Sequence, residues 1–327
     1  MPKDADSVPT LGELRESRVL ARIFPRLPAA QAALIGPGDD AAVVAAPDAR
    51  FVVTTDLMVQ GPDFRLAWSE PHDLGWKAAA SNLSDVAAMG AKPTALVVAI
   101  AAPATTPVTV LEGIADGLRD ACESMAPGCG VVGGDLSVSA TFTIAVTAFG
   151  DLEGREPVLR SGARLGDTVA VSGHLGESAR GLHLLFTQAL DEHGEPDAKL
   201  AKGLREHTGA QLAPTPPISD GRRAAIARAT AMIDVSDGLA LDAGRLAEAS
   251  GVAIDFESST LGDDPMLALN GGEDHSLLAT FPPSVTLPGG FRSVGMVVQP
   301  EESGMILLDG VPQSVAGWDP FSDRSTG

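Results

Sequence analysis

The stretch that most limits how this chain can fold is Ile35-Gly-Pro-Gly-Asp-Asp-Ala-Ala-Val-Val44, a pair of aspartates between a glycine turn and an apolar run. Asp39 and Asp40 sit where a turn hands over to a strand, and their charges repel unless positive charge lies close. Taken alone, such a pair reads as a solvated surface turn. It is not alone. Val131-Val-Gly-Gly-Asp135, Met232-Ile-Asp-Val-Ser-Asp-Gly238 and Leu269-Asn-Gly-Gly-Glu-Asp274 repeat the device, each joining an apolar run to small residues and acids.

Between these segments the periodicity alternates between helix and strand. Apolar residues at helical spacing predict a helix over 11–27, closed by Pro25 and Pro28. Strands are expected over 41–45 and 50–55, the second ending at Thr54-Thr55-Asp56. Pro71 to Met89 reads as the clearest helix, with Leu74, Ala78, Ser81 and Asp85 on one face, so an acid ends an apolar stripe. A strand over 94–101 and a helix over 108–125 follow, the latter with Cys122 on its core stripe. Phe142, Ile144, Val146 and Ala148 alternate as in a half-buried strand.

A turn-rich segment over 151–166 then leads to a second α/β series. Strands are expected at 168–172, 252–257 and 277–281, with helices at 176–190, 220–229 and 239–250. A hairpin turns at Asp309-Gly310. The fold class is α/β (α+β), with a domain over 1–150 and another over 151–327.

The length of 327 residues accommodates two cores, and 43 acidic against 23 basic residues give a net charge of −20. That balance argues against a chain that coats nucleic acid or anionic lipid. No apolar run is long enough to span a bilayer, and two cysteines provide no disulfide framework, which predicts a cytoplasmic protein.

Asp39, Asp40, Asp56, Asp85, Asp135, Asp234, Asp237 and Glu273 share one local grammar, an acid that ends an apolar run beside small residues. An unpaired buried carboxylate costs several kcal/mol, so a gathering of them calls for cations. Oxygen donors, with Thr54 and Thr55 beside them, suit a hard ion such as Mg²⁺. Several Mg²⁺ ions in an acidic chain point to phosphate chemistry. No P-loop is present, so a nucleotide is held otherwise, with Gly133-Gly134 and Gly271-Gly272 as backbone donors and Arg160 as a phosphate clamp.

Seven segments in order carry a resemblance: Gly38-Asp-Asp-Ala-Ala-Val43, Thr54-Thr-Asp56, Asn82-Leu-Ser-Asp-Val-Ala-Ala-Met-Gly-Ala91, Gly133-Gly-Asp135, Arg160-Ser-Gly-Ala163, Asp234-Val-Ser-Asp-Gly-Leu239 and Gly271-Gly-Glu-Asp274. Together they resemble the thiamine-monophosphate kinase family, part of the ATP-binding superfamily of aminoimidazole ribonucleotide synthetase. The resemblance implies an N-terminal mixed sheet that forms a dimeric β-barrel with a second subunit, and a C-terminal α/β domain closing the active site. It implies ATP and thiamine monophosphate as substrates and direct in-line phosphoryl transfer. Residue by residue, it implies Mg²⁺ at Asp40, Thr54, Thr55, Asp56, Asp85, Asp135, Asp234 and Asp237. Of these, Asp40, Asp56, Asp85, Asp135 and Asp234 are the expected catalytic acids. Gly134, Asp135, Arg160 and Ser236 are expected at ATP, and Asp63, Glu273 and Trp318 at the acceptor.

Three departures from the family pattern stand out. Asp63 precedes Phe64 where His is usual, Leu136 stands where Thr is usual, and His275-Ser276 replaces Tyr-Glu. These changes touch the acceptor side and leave the acids intact. The alternatives are an aminoimidazole ribonucleotide synthetase-like enzyme and a non-catalytic nucleotide-binding dimer.

Overall fold

The computed structural model describes residues 8–14, 16–36, 42–299, 302–314 and 317. Two compact units divide the chain. The first comprises Met1–Val86, Ala91–Gly154 and Leu185–Glu206, and the second Ala87–Gly90, Arg155–Leu184 and His207–Gly327.

In the first unit the helix expected over 11–27 is three pieces: a 3-10 turn at Leu11–Glu13, α1 at Glu16–Ile23 and a 3-10 turn at Phe24–Arg26. Glu13 accepts the Thr10 amide, and Leu14 leaves the first turn in an extended conformation. Pro25 lacks an N–H and breaks the α-helical ladder at the other end. Short strands β1 (Ala33–Ile35) and β2 (Val43–Val44) pair antiparallel.

The main sheet of this unit holds β3 (Val52–Val59), β4 (Lys92–Ala102), β5 (Gly130–Val138) and β6 (Thr143–Asp151), in the order β3-β6-β4-β5. It is mixed, with β4 and β5 parallel and the other pairs antiparallel. The sheet is open, and β3 and β5 are its edges. The expected alternation of Phe142, Ile144, Val146 and Ala148 is present, and all four are buried. Two strands run further than expected. β3 continues past Asp56 to Val59 because β6 pairs with it throughout, from Val52 opposite Gly150 to Val59 opposite Thr143. β5 likewise continues past Asp135 to Val138 against β4. Asp56 and Asp135 therefore sit inside strands, not at their ends.

Helices α2 (Pro71–Ala88) and α3 (Val108–Met125) meet through glycine. A Cβ on Gly75 would lie 2.0 Å from the Ile114 carbonyl oxygen, and one on Gly117 2.0 Å from that of His72. Such backbone-to-backbone approach leaves no room for a side chain on either helix. Val19 and Ile23 of α1 pack on Val108, Leu111 and Ala115 of α3.

The later elements are β7 (Thr168–Ser172), α4 (Glu177–Gln188), α5 (Ala198–Gly203), α6 (Arg205–Leu212), α7 (Ile218–Ile226), β8 (Ala231–Val235), α8 (Leu239–Ser250), β9 (Ala253–Phe256), α9 (Pro265–Asn270), β10 (Ser276–Phe281), β11 (Arg292–Val298), β12 (Ile306–Leu308) and β13 (Val311–Pro312). The strands of the second unit form one sheet in the order β13-β12-β9-β11-β7-β10-β8, antiparallel except where β12 meets β9. α8 buries Leu239, Ala243, Leu246 and Ala247 in a core with Val235, Ile254 and Phe256. β11 escapes the sequence pattern because Gly295 and a register shift interrupt it. A Cβ at Gly295 would meet the Asp255 carbonyl oxygen at 2.1 Å, so strand packing selects glycine there. Among the described residues no helix is long and apolar enough to cross a membrane.

Candidate functional site

Strand alternation puts Thr54 and Asp56 on one face of β3 and Thr55 on the other. The Thr54 hydroxyl donates to Asp85 Oδ2 at 2.7 Å. The Asp56 amide donates to Asn82 Oδ1 at 3.2 Å, and Asn82 is itself held by its Nδ2 on the Ala78 carbonyl, one helical turn back. β3 and the last turns of α2 thus assemble Thr54, Asp56 and Asp85. Thr55 points away from this group. Its hydroxyl donates to the Val146 carbonyl at 3.0 Å and accepts from Thr147 at 3.1 Å.

Asp135 lies on the edge strand β5 opposite Ala99 of β4. Two strands stand between β5 and β3. The register runs from Asp135 through Ala99 and Ala145 to Leu57, so strand pairing does not bring Asp135 to Thr54 or Asp56. Gly134 has a packing reason of its own, since a Cβ there would come 1.9 Å from the Val98 carbonyl oxygen, while Gly133 opens onto free space. Asp63 turns inward on its own loop: its carboxylate accepts the Val59 amide at 2.7 Å, and its amide donates to the Val59 carbonyl at 3.1 Å.

In the second unit β8 leads through Ser236-Asp237-Gly238 into α8. Gly238 has φ +122°, a conformation that suits glycine and lets the chain turn into the helix. Asp234 is 5% exposed near the end of β8, with its Oδ2 3.6 Å from His275 Nδ1. The amides of Ser236 and Asp237 donate to Asp242 Oδ2 at 3.1 and 2.9 Å. Burial pushes the Asp242 carboxyl up to about 6, the Asp237 amide and the Arg245 charge oppose that rise, and the charges of Asp234 and Asp237 add to it. Arg245 Nη1 bridges Asp237 Oδ2 at 2.6 Å and Asp242 Oδ1 at 2.7 Å.

Glu273 has φ +64°, a strained value for a residue with a side chain, and two backbone ties hold it there. Its amide donates to the Ser236 carbonyl at 2.7 Å, and its own carbonyl lies 2.9 Å from the Ser178 hydroxyl. Gln211 Nε2 donates to its carboxylate. Asp274 is structural: it accepts the Gly176 and Ser178 amides at 2.5 and 2.8 Å at the start of α4, and burial raises its carboxyl above the usual range. Arg160 gives its carbonyl to the Ser250 hydroxyl at 3.1 Å, and the same hydroxyl accepts the Gly162 and Ala163 amides. The loop of the predicted phosphate clamp is thereby fixed to the end of α8, and the Arg160 side chain is exposed.

Asp39, Asp40 and Trp318 lie outside the described residues. Asn82, Gln211, Asp242 and Arg245 were not legible as site residues. Each acts through a neighbour rather than through a motif glycine or acid. The one available signal was the Asp242 to Arg245 spacing, which places opposite charges on one face of α8 just after the acidic loop. Among the described residues no three Asp, Glu, His or Cys side chains converge as a ready-made metal cage. Apart from His275 Nδ1 near Asp234, the predicted ligands that the structure describes offer oxygen: Thr54, Asp56 and Asp85 in one unit and Asp234, Asp237 and Ser236 in the other. That donor chemistry fits a hard divalent cation.

Residues 38–152 match the model of the AIR synthase related protein family, N-terminal domain. A thiamine-monophosphate kinase of Mycobacterium tuberculosis is 42% identical over 335 aligned positions, which cover 98% of this chain and 95% of the relative. Among solved structures, the thiamine-monophosphate kinase of Stenotrophomonas maltophilia superposes with TM-score 0.73 at 30% identity, covering 91% of this chain and 96% of the other. AaThiL complexed with AMPPCP and TMP superposes with TM-score 0.68 at 34% identity, covering 86% of this chain and 91% of the other. Similarity of this extent shows that the chain belongs to the thiamine-monophosphate kinase family.

Proposed function

We propose that this protein phosphorylates thiamine monophosphate with ATP, releasing thiamine diphosphate and ADP. The observation that carries the reading is near full-length similarity to a thiamine-monophosphate kinase, together with a related structure complexed with AMPPCP and TMP. An oxygen of the acceptor's phosphate attacks the γ-phosphorus, the bond from that phosphorus to the β,γ-bridging oxygen breaks, and ADP departs with the electron pair. The attacking oxygen is already ionised near neutral pH, so alignment and charge compensation replace a strong general base.

Asp40, Asp56, Asp85, Asp135, Asp234 and Asp237, with Thr54 and Thr55, are the residues proposed to hold Mg²⁺. The Thr55 hydroxyl, engaged on β6, would have to give up those bonds to reach a cation. Bound Mg²⁺ would offset the charge of the two polyanions. Thr54 orients the Asp85 carboxylate through its hydroxyl, and Asn82 fixes the backbone of Asp56. Gly134, Arg160 and Ser236 are assigned to ATP. Glu273 and Trp318 are assigned to the thiamine moiety, where an aromatic face suits a cationic ring. Asp63 is assigned to the acceptor side as a shaper of the loop after β3.

The protein acts as a homodimer in this reading. Val53 and Leu57 are 54% and 58% exposed on edge strand β3, as expected if a second copy continues the open sheet into a barrel. A cytoplasmic location accords with two free, buried cysteines.

The test is incubation with ATP, Mg²⁺ and thiamine monophosphate, followed by phosphorus NMR. A diphosphate product and stoichiometric ADP are expected. Absence of product, with turnover of formylglycinamidine ribonucleotide instead, would transfer the chain to the aminoimidazole ribonucleotide synthetase reaction.

A further inference from the structure

The carboxylate of Asp237 already has a cation on it. Arg245 Nη1 lies 2.6 Å from Asp237 Oδ2 and 2.7 Å from Asp242 Oδ1, so a single guanidinium serves two acids. The arrangement follows from the start of α8. Asp242 and Arg245 share a helical face three residues apart, while the loop before the helix folds back because the Ser236 and Asp237 amides both donate to Asp242. The Asp242 side chain is 1% exposed and that of Arg245 is 40% exposed, so the arginine reaches inward from solvent to an acid that stays in place.

A divalent cation and a guanidinium repel each other on one carboxylate. We infer that Arg245 is a built-in counter-cation for Asp237, holding that carboxylate when no divalent cation is bound and yielding it to solvent-borne Mg²⁺ when one arrives. The inference rests on the assignment of Asp237 as a cation ligand. Arg245 is then a positioning residue with two opposed effects. It steadies the metal-free acids, which otherwise repel one another, and it weakens the cation's apparent affinity because its own pairing must be given up. Its aliphatic stem and partial exposure allow the head group to swing outward without disturbing the core.

The test uses the full chain and Mn²⁺ as the probe, titrated by electron paramagnetic resonance. Arg245→Met keeps the stem and removes the charge, and it is expected to tighten the Asp237-dependent Mn²⁺ site about tenfold. In EDTA the same variant melts below the wild type, and saturating Mn²⁺ closes the gap. Arg245→Lys stays near the wild type in both measurements. If Arg245→Met does not fold, Arg245→Gln carries the same comparison. Unchanged or weaker Mn²⁺ binding in the neutral variant overturns the inference, because Arg245 then only orients Asp237 for ligation. Asp237→Asn separates this failure from failure of the ligand assignment. Loss of a site in Asp237→Asn without tightening in Arg245→Met overturns the counter-cation alone. Identical binding in Asp237→Asn and wild type overturns the assignment and the inference together.

Discussion

The hydroxyl of Thr54 on β3 donates to the carboxylate of Asp85 on α2 across 2.7 Å, joining residues 31 positions apart in the chain. Asp85 is half-buried, and the Thr54 hydroxyl orients its carboxylate. Asp85→Asn preserves an oxygen that accepts from Thr54 and removes the charge. We predict a loss of kcat by about 100-fold or more, the scale seen when an electrostatic group is removed from a reacting centre. The melting temperature should move by only a few degrees. Full activity in the variant would return Asp85 to a purely structural role.

Glycine at the crossing of α2 and α3 is a packing requirement. Gly117→Ala brings a methyl group to 2.0 Å from the His72 carbonyl oxygen and should destabilise the protein by about 3 kcal/mol, as overpacking does. Gly209 in α6 has nothing within 4 Å of a built Cβ, so Gly209→Ala should stabilise by about 0.5–1 kcal/mol through helix propensity. Urea unfolding of the two variants should give opposite signs.

The pH dependence of stability contains a contribution from Asp242. Its carboxyl is raised to about 6 in the folded protein, against about 3.9 in an unfolded chain. The folded state therefore binds the proton more tightly, and ionising Asp242 costs stability as pH rises from about 4 to about 6. Above that range the cost is constant. Asp242→Asn should remove this slope, so the stability difference between variant and wild type in metal-free buffer should grow from pH 4 to 6 and then level off. Urea titrations at fixed pH read it directly. A flat difference would mean that Arg245 compensates the charge fully.

Asp63 acts on its loop through an accepted hydrogen bond, not through its charge. Asp63→Asn can still accept the Val59 amide and should keep KM for thiamine monophosphate within about twofold. Asp63→Ala leaves that amide without its 2.7 Å acceptor, at a cost of about 1 kcal/mol, and should raise KM more than it lowers kcat. Steady-state kinetics on the pair separates the two roles. Equal loss in both variants would show that the carboxylate charge meets the substrate.

How much of this was legible beforehand differs from residue to residue. The helix over 108–125 and the helix over 239–250 were readable because their apolar periodicity is long and their ends are marked, and both have those bounds in the structure. The alternation of Phe142 to Ala148 was equally plain, since one face of β6 is buried throughout. Strand ends were not readable at Asp56 and Asp135, because what extends β3 and β5 is pairing with β6 and β4. Local sequence carries no record of a partner strand that lies about 90 residues away.

The sequence by itself determined the family, the alternating α/β elements and the identity of the acids, since those depend on residue type, order and spacing. Tertiary structure decided how those acids are employed. It put Thr54 on Asp85, turned Thr55 to the opposite side of β3, and committed Asp274 to the start of α4. It also placed Arg245 on Asp237 and Asp242. A carboxylate's role depends on which donors and charges reach it through space, and those arrive from strands and helices that the linear order keeps apart.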